Sequence, residues 1–183
     1  AELRKKLLQT AVGRVLEIGF GTGLNLPHYP PQVENLVLIE PNEGMHRRAW
    51  RRLQQASIGF EVHRADGQDL PFDDQSFDTV VSTFTLCSIP NVAKALAECH
   101  RVLRSGGRFL YLEHGLSPDP AVQRWQRRLN RLQMWLGDGC HLDRDIASLV
   151  RQQPFAEESL QQFYLARAPR TLGYLYRGIV RRR

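Results

Sequence analysis

No stretch of this 183-residue chain approaches the ~20 consecutive apolar residues that a bilayer-spanning helix needs. The opening segment, Ala1 to Leu8, is charged and too short in apolar content for a secretory signal. The chain starts on Ala1 rather than Met, which leaves room for upstream residues, an anchor among them. Cysteine is scarce: Cys87, Cys99 and Cys140 are odd in number, widely spaced and without a CxxC pair. That argues against a disulfide framework and a structural zinc knuckle, and makes a reducing cytoplasm the expected compartment. Internal repeats and low-complexity linkers are missing too, so residues 1–183 are expected to form one domain, long enough to bury most of its surface around one core. Acidic charge is scarce only toward the end. Residues 1–120 hold 13 Lys/Arg against 14 Asp/Glu, whereas residues 121–183 hold 12 Arg against 5 acids, so the whole +6 excess lies in the last third. Such an asymmetry fits a nucleic acid, an anionic membrane surface, an acidic substrate or merely a well-solvated face.

What the chain does have is an alternation of short apolar runs and amphipathic stretches. Val15–Gly19, Leu36–Glu40, Gly59–His63, Phe77–Thr83 and Arg108–Glu113 read as five strands. Their near-continuous apolar runs, closed by turn residues, suit a parallel sheet buried on both faces. Between them, Asn42–Gln55 starts on an N-cap Asn with Glu43 in its first turn. Asn91–Leu103 places Val92, Ala95, Leu96, Cys99, Val102 and Leu103 on one face and stops at Ser105-Gly106-Gly107. Repeated βα units of this kind predict a doubly wound α/β sheet. After Pro120 the pattern changes to a stripe of Val122, Trp125, Leu129, Leu132 and Leu136. A second short helix follows near 142–152, then two strand-like segments around 159–166 and 172–180.

Three features carry chemistry. Glu17-Ile18-Gly19-Phe20-Gly21-Thr22-Gly23 follows the first strand directly. Alternate glycines allow a tight turn and close approach of a ligand, and free N–H groups beyond it can receive a carboxylate. A dinucleotide fingerprint would need a sixth-position glycine, where this chain has Leu24. Glu40 ends the second strand, where an acid in such folds accepts from ribose hydroxyls. Asp66, in Ala65-Asp66-Gly67-Gln68-Asp69, follows the third and is placed to accept from an adenine amino group, although a turn can hold Asp-Gly by chance. Their order at successive strand ends is what gives them weight together.

On these residues, the segment 14–115 resembles the class I S-adenosylmethionine-dependent methyltransferases, in particular the group containing ubiquinone and menaquinone methyltransferases. The resemblance implies a Rossmann-like, mostly parallel seven-stranded sheet with an antiparallel last strand, and a helical lid after strand five. It divides the domain into a donor-binding core (12–115), a lid and acceptor region (120–153) and C-terminal strands (155–183). It implies S-adenosylmethionine binding, with S-adenosylhomocysteine as product, by Glu17, Gly19, Gly21, Gly23, Glu40, Pro41, Asn42 and Asp66. Adenine packing from Met45, Gly67 and Gln68, and lining by Thr83, Phe84 and Leu86, are implied with it. Thr85-Leu86-Cys87-Ser88, Arg101–Arg104, Glu113-His114 and Asp138–Arg144 resemble more narrowly the alkyl-thiol S-methyltransferase subfamily, whose members carry an N-terminal membrane segment.

That resemblance implies a small-molecule acceptor, with a thiol foremost; C- or N-methylation of a lipid or quinone, and a donor-binding protein without catalysis, are the alternatives. A thiol, with a pKa near ~8.5, asks for little base help. If a base is used, the candidates are His114 and His141, and either could instead be structural. Cys140 beside His141 is a poor nucleophile pair, because adjacent residues rarely face each other. Cys87, Cys140, His114 and His141 lack metal-ligand spacing, so no metal is expected. The Asn/Asp-Pro-Pro-aromatic segment of amine-directed relatives is replaced here by Ser82–Cys87, and nucleic acid is not an expected partner. The helix at 121–136, with Arg124, Arg127, Arg128 and Arg131, reads as a lid, as a peripheral contact with an anionic membrane such as the inner surface, or as a phosphate contact.

Overall fold

The computed structural model describes residues 1–183 except Asp138, so the motif Asp138–Arg144 begins one residue outside the described ones. The chain opens with α1 (Glu2–Leu8), then β1 (Gly13–Ile18), a 3-10 turn at Leu26–His28, β2 (Val33–Ile39), α2 (Glu43–Gln54) and β3 (Phe60–His63). β4 (Phe77–Thr83), α3 (Val92–Val102), β5 (Leu103–His114), α4 (Pro120–Leu136), α5 (Ile146–Arg151), β6 (Phe155–Tyr164) and β7 (Tyr174–Arg182) complete it.

The strands form one seven-stranded sheet in the order β3-β2-β1-β4-β5-β7-β6. β1 pairs in parallel with β2 and β4, β2 with β3, and β4 with β5. β7 runs antiparallel to both its neighbours, β5 and β6. The expected Rossmann-like sheet with an antiparallel last strand is therefore what the chain adopts.

The period-2 alternation of each strand sorts its side chains between two cores. Leu16 and Ile18, Val37 and Ile39, and Phe109 and Tyr111 pack on one face, with α3 and α5. Val15, Leu36 and Leu38, and Leu110 and Leu112 pack on the other, with α1 and α2. The helices start where their caps say: Asn42 accepts from the Gly44 N–H at 2.8 Å, Asn91 from Lys94 at 3.0 Å, and Asp119 from Ala121 at 2.9 Å ahead of Pro120. The chain winds outward from β1 to β3, then returns to β4 and winds the other way. The crevice at the carboxyl ends of β1 and β4 is thus the switch point where open α/β sheets bind ligands.

Several boundaries differ from the sequence expectation. β5 begins at Leu103, which pairs with Phe77, and its glycine turn is a bulge inside the strand rather than a separate stop. β6 starts at Phe155, and the helix near 142–152 shortens to Ile146–Arg151 behind the cap Asp145. The sequence pattern does not anticipate α1; Leu7 and Leu8 bury it against the sheet.

The helix expected as a lid is not seen packed over the cleft by its apolar stripe. α4 follows β5, but its buried residues are Val122, Gln126 and Asn130, while Trp125, Leu132, Trp135 and Leu136 are exposed. The reason lies in backbone groups that need partners: Gln126 donates to the carbonyls of Gly115 and Thr171 and accepts from the Ser117 N–H. Asn130 accepts from Leu142 N–H at 2.8 Å. Turning these amides outward would strand buried polar groups at about 1–3 kcal/mol each, so the polar edge faces in beside Val122, and Trp125, Leu132 and Leu136 of the stripe face out. Among the described residues no helix is long and apolar enough to cross a membrane.

Candidate functional site

A cleft of about 570 Å³ opens at the switch point, a size suited to a drug-sized ligand. Its floor is the glycine turn after β1. Gly21 sits at φ +53°, in the left-handed region that side-chain-bearing residues avoid, and a Cβ there would meet nothing closer than 3.9 Å; that direction is open. Gly19, at φ +66°, is fixed by packing instead, since a Cβ would drive into the Thr85 side chain. At the end of β2 the Glu40 carboxylate accepts from Gly21 N–H at 3.2 Å and from Asn42 N–H at 3.1 Å, tying the glycine turn to the start of α2. Beyond β3, Asp66 accepts from the backbone and side-chain N–H groups of Gln68 at 2.9 and 2.8 Å. Gln68 in turn accepts from Asn91 N–H, linking the loop to α3.

Of the residues expected at the site, Gly19, Gly21, Glu40, Pro41, Asn42, Met45, Asp66, Gly67, Gln68 and Phe84 line this cleft together. Glu17 and Thr83 lie beneath it. Glu17 is fully buried and accepts from Asn25 at 2.9 Å and from the Tyr29 hydroxyl at 2.6 Å. Burial pushes its carboxyl up to about 7, against the opposing pull of those two hydrogen bonds and of Arg4. Arg4 closes the cluster from α1, donating to Asn25 and Thr83. Gly23 packs behind the turn against Leu26 and Ala49. Leu86 does not line the cleft: its side chain is fully buried in the core with Leu96 and Ile89. The turn after β4 rotates it inward.

That turn also supplies residues the sequence reading missed: Thr85, Ser88, Ile89 and Pro90 line the cleft, with Ile18, Ile39, Ala65 and Gly137. Phe84 adopts φ +57°, and the buried Glu113 holds the reversal. Glu113 accepts from the Thr85 N–H at 3.0 Å and the Ser82 hydroxyl at 2.8 Å, so it neither faces the cleft nor pairs with an arginine. Burial raises its pKa, opposed by these bonds. A strand-end acid followed by His was the available signal, but the partner it holds is remote in sequence.

His114, the last residue of β5, does not line the cleft; it stands one layer behind, its ring 6.0 Å from that of Phe84. Its Nε2 lies 3.1 Å from Cys140 Sγ and 3.6 Å from Cys87 Sγ. The three side chains hold their potential ligand atoms within 4.8 Å of one another. Cys87, Cys140 and His114, which with His141 have no metal-ligand spacing along the chain, thus come together in space, because spacing does not register that the ends of β4 and β5 and the loop after α4 converge. The Cys87 thiol is pushed up, first by its bond to Cys140 and then by burial, and the Cys140 thiol is drawn down by the same bond. Burial alone would lower His114, yet the cysteine contact and the Glu113 charge outweigh it and raise its pKa. His141 turns away, its ring toward Asn130 at 3.4 Å and Asp143 at 3.7 Å. Its backbone N–H donates to the Cys87 carbonyl at 2.9 Å, which ties the loop after α4 to the turn after β4.

Comparison with known proteins agrees with this geometry. Residues 16–111 match the methyltransferase domain family. The chain is 32% identical over 151 residues to the thiol S-methyltransferase TMT1B of Rattus norvegicus, covering 80% of this chain and 62% of that protein. It is 32% identical over 127 residues to the phosphatidylethanolamine N-methyltransferase of Cereibacter sphaeroides, covering 68% and 62% respectively. The matches thus span about three-fifths of the length of these curated relatives. In fold it is similar to an S-adenosylmethionine-dependent methyltransferase from Mesorhizobium loti, with a TM-score of 0.73 at 21% identity, covering 99% of this chain and 96% of that one. With residues 16–111 matching the methyltransferase domain and the sheet order as expected for it, the chain belongs to the class I S-adenosylmethionine-dependent methyltransferase family.

Proposed function

We propose that this domain transfers a methyl group from S-adenosylmethionine to the sulfur of a small thiol. The observation that carries the reading is the uneven chemistry of the cleft. Among the described residues its carboxylates, Glu40 and Asp66, stand toward the ends of β2 and β3, whereas Phe84, Thr85, Ser88, Ile89, Pro90 and Gly137 at the other end offer no acid or base. The residues fit the donor: Gly21 leaves the space a Cβ would occupy, Glu40 and Asp66 can accept from hydroxyl and amino groups, and Met45 and Gly67 give apolar contact. When bound, S-adenosylmethionine supplies an electrophilic methyl group. The chain's own residues then have to orient two molecules and exclude water, which Phe84, Ile89 and Pro90 do as an apolar wall. A thiol suits a wall without a base, because part of it is already thiolate near neutral pH. The similarity to thiol S-methyltransferases supports the same choice.

The similarity to a phosphatidylethanolamine N-methyltransferase favours a second reading, a lipid acceptor. The test is calorimetric titration with S-adenosylhomocysteine, then product analysis with hydrogen sulfide, a short alkyl thiol and a lipid amine. Donor-product binding with thioether formation is expected. Binding with methylated lipid and no thioether would replace the thiol reading, and no binding would remove both.

We infer in addition that α4 rests on an anionic membrane surface. Trp125, Leu132, Trp135 and Leu136 are exposed along it, interleaved with Arg124, Arg127, Arg128 and Arg131. Apolar rings entering the headgroup boundary beside guanidinium groups suit acidic lipids. The helix ends at Gly137 on the rim of the cleft, which would bring lipophilic acceptors to its mouth. Sedimentation with vesicles containing acidic lipid, against neutral vesicles, tests this contact; equal or no binding would end it.

A further inference from the structure

We propose that Cys87 Sγ, His114 Nε2 and Cys140 Sγ are three ligands of a zinc ion whose fourth position receives the sulfur of the acceptor thiol. The second half rests on the thiol reading above; the first does not.

The three atoms come from separate elements, the turn after β4, the last residue of β5 and the loop after α4, and the fold alone brings them together. Tetrahedral zinc, with Zn–S near ~2.3 Å and Zn–N near ~2.0–2.1 Å, places sulfur about 3.5 Å from nitrogen and about 3.8 Å from sulfur. The observed Sγ to Nε2 distances are 3.1 and 3.6 Å, and the whole set lies within 4.8 Å. Small side-chain adjustments would satisfy the geometry. The backbone is already fixed, by His141 N–H on the Cys87 carbonyl and by Cys140 N–H on the Gly137 carbonyl.

Donor type points to the same ion. Two sulfurs and an imidazole select thiophilic cations over magnesium or calcium. Both cysteines are free and buried. Two thiolates and a neutral imidazole would cancel the charge of a divalent ion, making the burial of all three tolerable. Among the described residues no fourth cysteine, histidine or carboxylate completes the group. Three protein ligands with one position left over is the arrangement of a zinc site that takes a substrate.

Location supplies the substrate. The Phe84 ring lies beside that of His114, Ser88 Oγ lies 3.7 Å from Cys87 Sγ, and the Gly137 carbonyl accepts from Cys140 N–H. Phe84, Ser88 and Gly137 also line the end of the cleft away from Glu40 and Asp66. An acceptor thiol entering there gives its proton to solvent as its sulfur takes the fourth position. That sulfur then bonds the methyl carbon as the donor's carbon–sulfur bond breaks. The bonding pair stays with the donor sulfur, so the sulfonium becomes a neutral thioether, and the methylated product, now a weaker ligand, leaves.

The experiment is titration of the reduced chain with Zn²⁺ by calorimetry and with Co²⁺ by absorption. One equivalent of Zn²⁺ should bind, with a dissociation constant below about 1 μM, and Co²⁺ should give thiolate charge-transfer bands with tetrahedral ligand-field bands. Cys140→Ser and His114→Gln should each weaken binding at least about 100-fold, while Cys99→Ser, at a buried cysteine outside the group, should bind normally. Cys87→Ser serves as a third variant if circular dichroism shows that one of the others fails to fold. Failure of the reduced chain to bind either ion, or equal binding after these substitutions, overturns the site. So does a Cys87–Cys140 disulfide that forms under saturating Zn²⁺. Adding ethanethiol to the Co²⁺-loaded protein should then shift its bands. An unchanged spectrum alongside thioether production overturns the fourth-position assignment and leaves the thiol reading standing. A shifted spectrum without any methylated product supports the ion site and removes the thiol reading.

Discussion

The two ends of the cleft are built on different plans. The end at β1 to β3 uses short contiguous stretches, each contributing a turn at a strand terminus, with backbone N–H groups and carboxylates as its chemistry. The end at β4 and β5 is lined by Phe84 and the turn after it, and directly behind stand the sulfurs and imidazole of Cys87, Cys140 and His114, single side chains from segments far apart. In the first, the groups on offer are backbone N–H and carboxylate, so a change of glycine or acid would act directly on a ligand bound there. In the second, side chains are held by others behind them, as Glu113 holds the Thr85 turn, so changes act through position.

The sharpest way to break the contrast is Gly21→Val. A β-branched side chain at φ +53° is strained by about 1–2 kcal/mol, and it would fill the space the turn leaves open. Binding of S-adenosylhomocysteine should fall beyond calorimetric detection while the circular dichroism of the fold is kept. Glu40→Ala should cost less. It removes hydrogen bonds from a charged acceptor, worth about 1.5–3 kcal/mol, or about 10–150-fold in affinity by the same titration. Normal affinity in either variant would mean that the ligand does not bind on the glycine turn.

The same contrast explains what the sequence made legible. The positions of the first five strands, the glycine turn, Glu40 and Asp66 follow from local pattern: apolar runs mark each strand, and turn residues mark where it stops. Gly19, Gly21, Glu40 and Asp66, read in that way, line the cleft, as do six more residues that the family resemblance implies. The Cys87–His114–Cys140 group is invisible to such a reading because its members lie 27 and 26 residues apart and only the closed sheet brings them together. Leu86 and α4 depart from expectation for a different reason. The family resemblance implies a cleft wall for Leu86 and the apolar stripe suggests a lid for α4, but the Glu113 turn and the buried amides of Gln126 and Asn130 decide their orientation.

Glu17 tests the layer beneath the donor end. Its carboxyl sits near 7 in the folded chain against an ordinary 4.5. Below the unfolded value both states hold the proton and stability is at its full level. Between there and about 7 the unfolded chain has released the proton while the native chain keeps it, so stability falls as pH rises, and above about 7 the loss is complete. Urea unfolding at pH 5 and pH 8 should differ by on the order of 2 kcal/mol more in the unsubstituted chain than in Glu17→Gln. An equal pH response in both would show that Glu17 is ionised when folded and that Arg4 compensates it fully.

The smallest effect belongs to the outer face of α4, where neither plan applies. Trp135 is 80% exposed and touches no part of the donor site, so Trp135→Ser should leave the affinity for S-adenosylhomocysteine unchanged. Its loss from an acidic vesicle surface should weaken partitioning by about 1 kcal/mol, roughly five-fold, as one interfacial side chain among several. Raising the salt should weaken what remains, because the neighbouring arginines act by screened charge. If Trp135→Ser changed donor-product affinity instead and left vesicle binding intact, α4 would be closing over the cleft in solution, and its exposed stripe would be a lid surface rather than a membrane one.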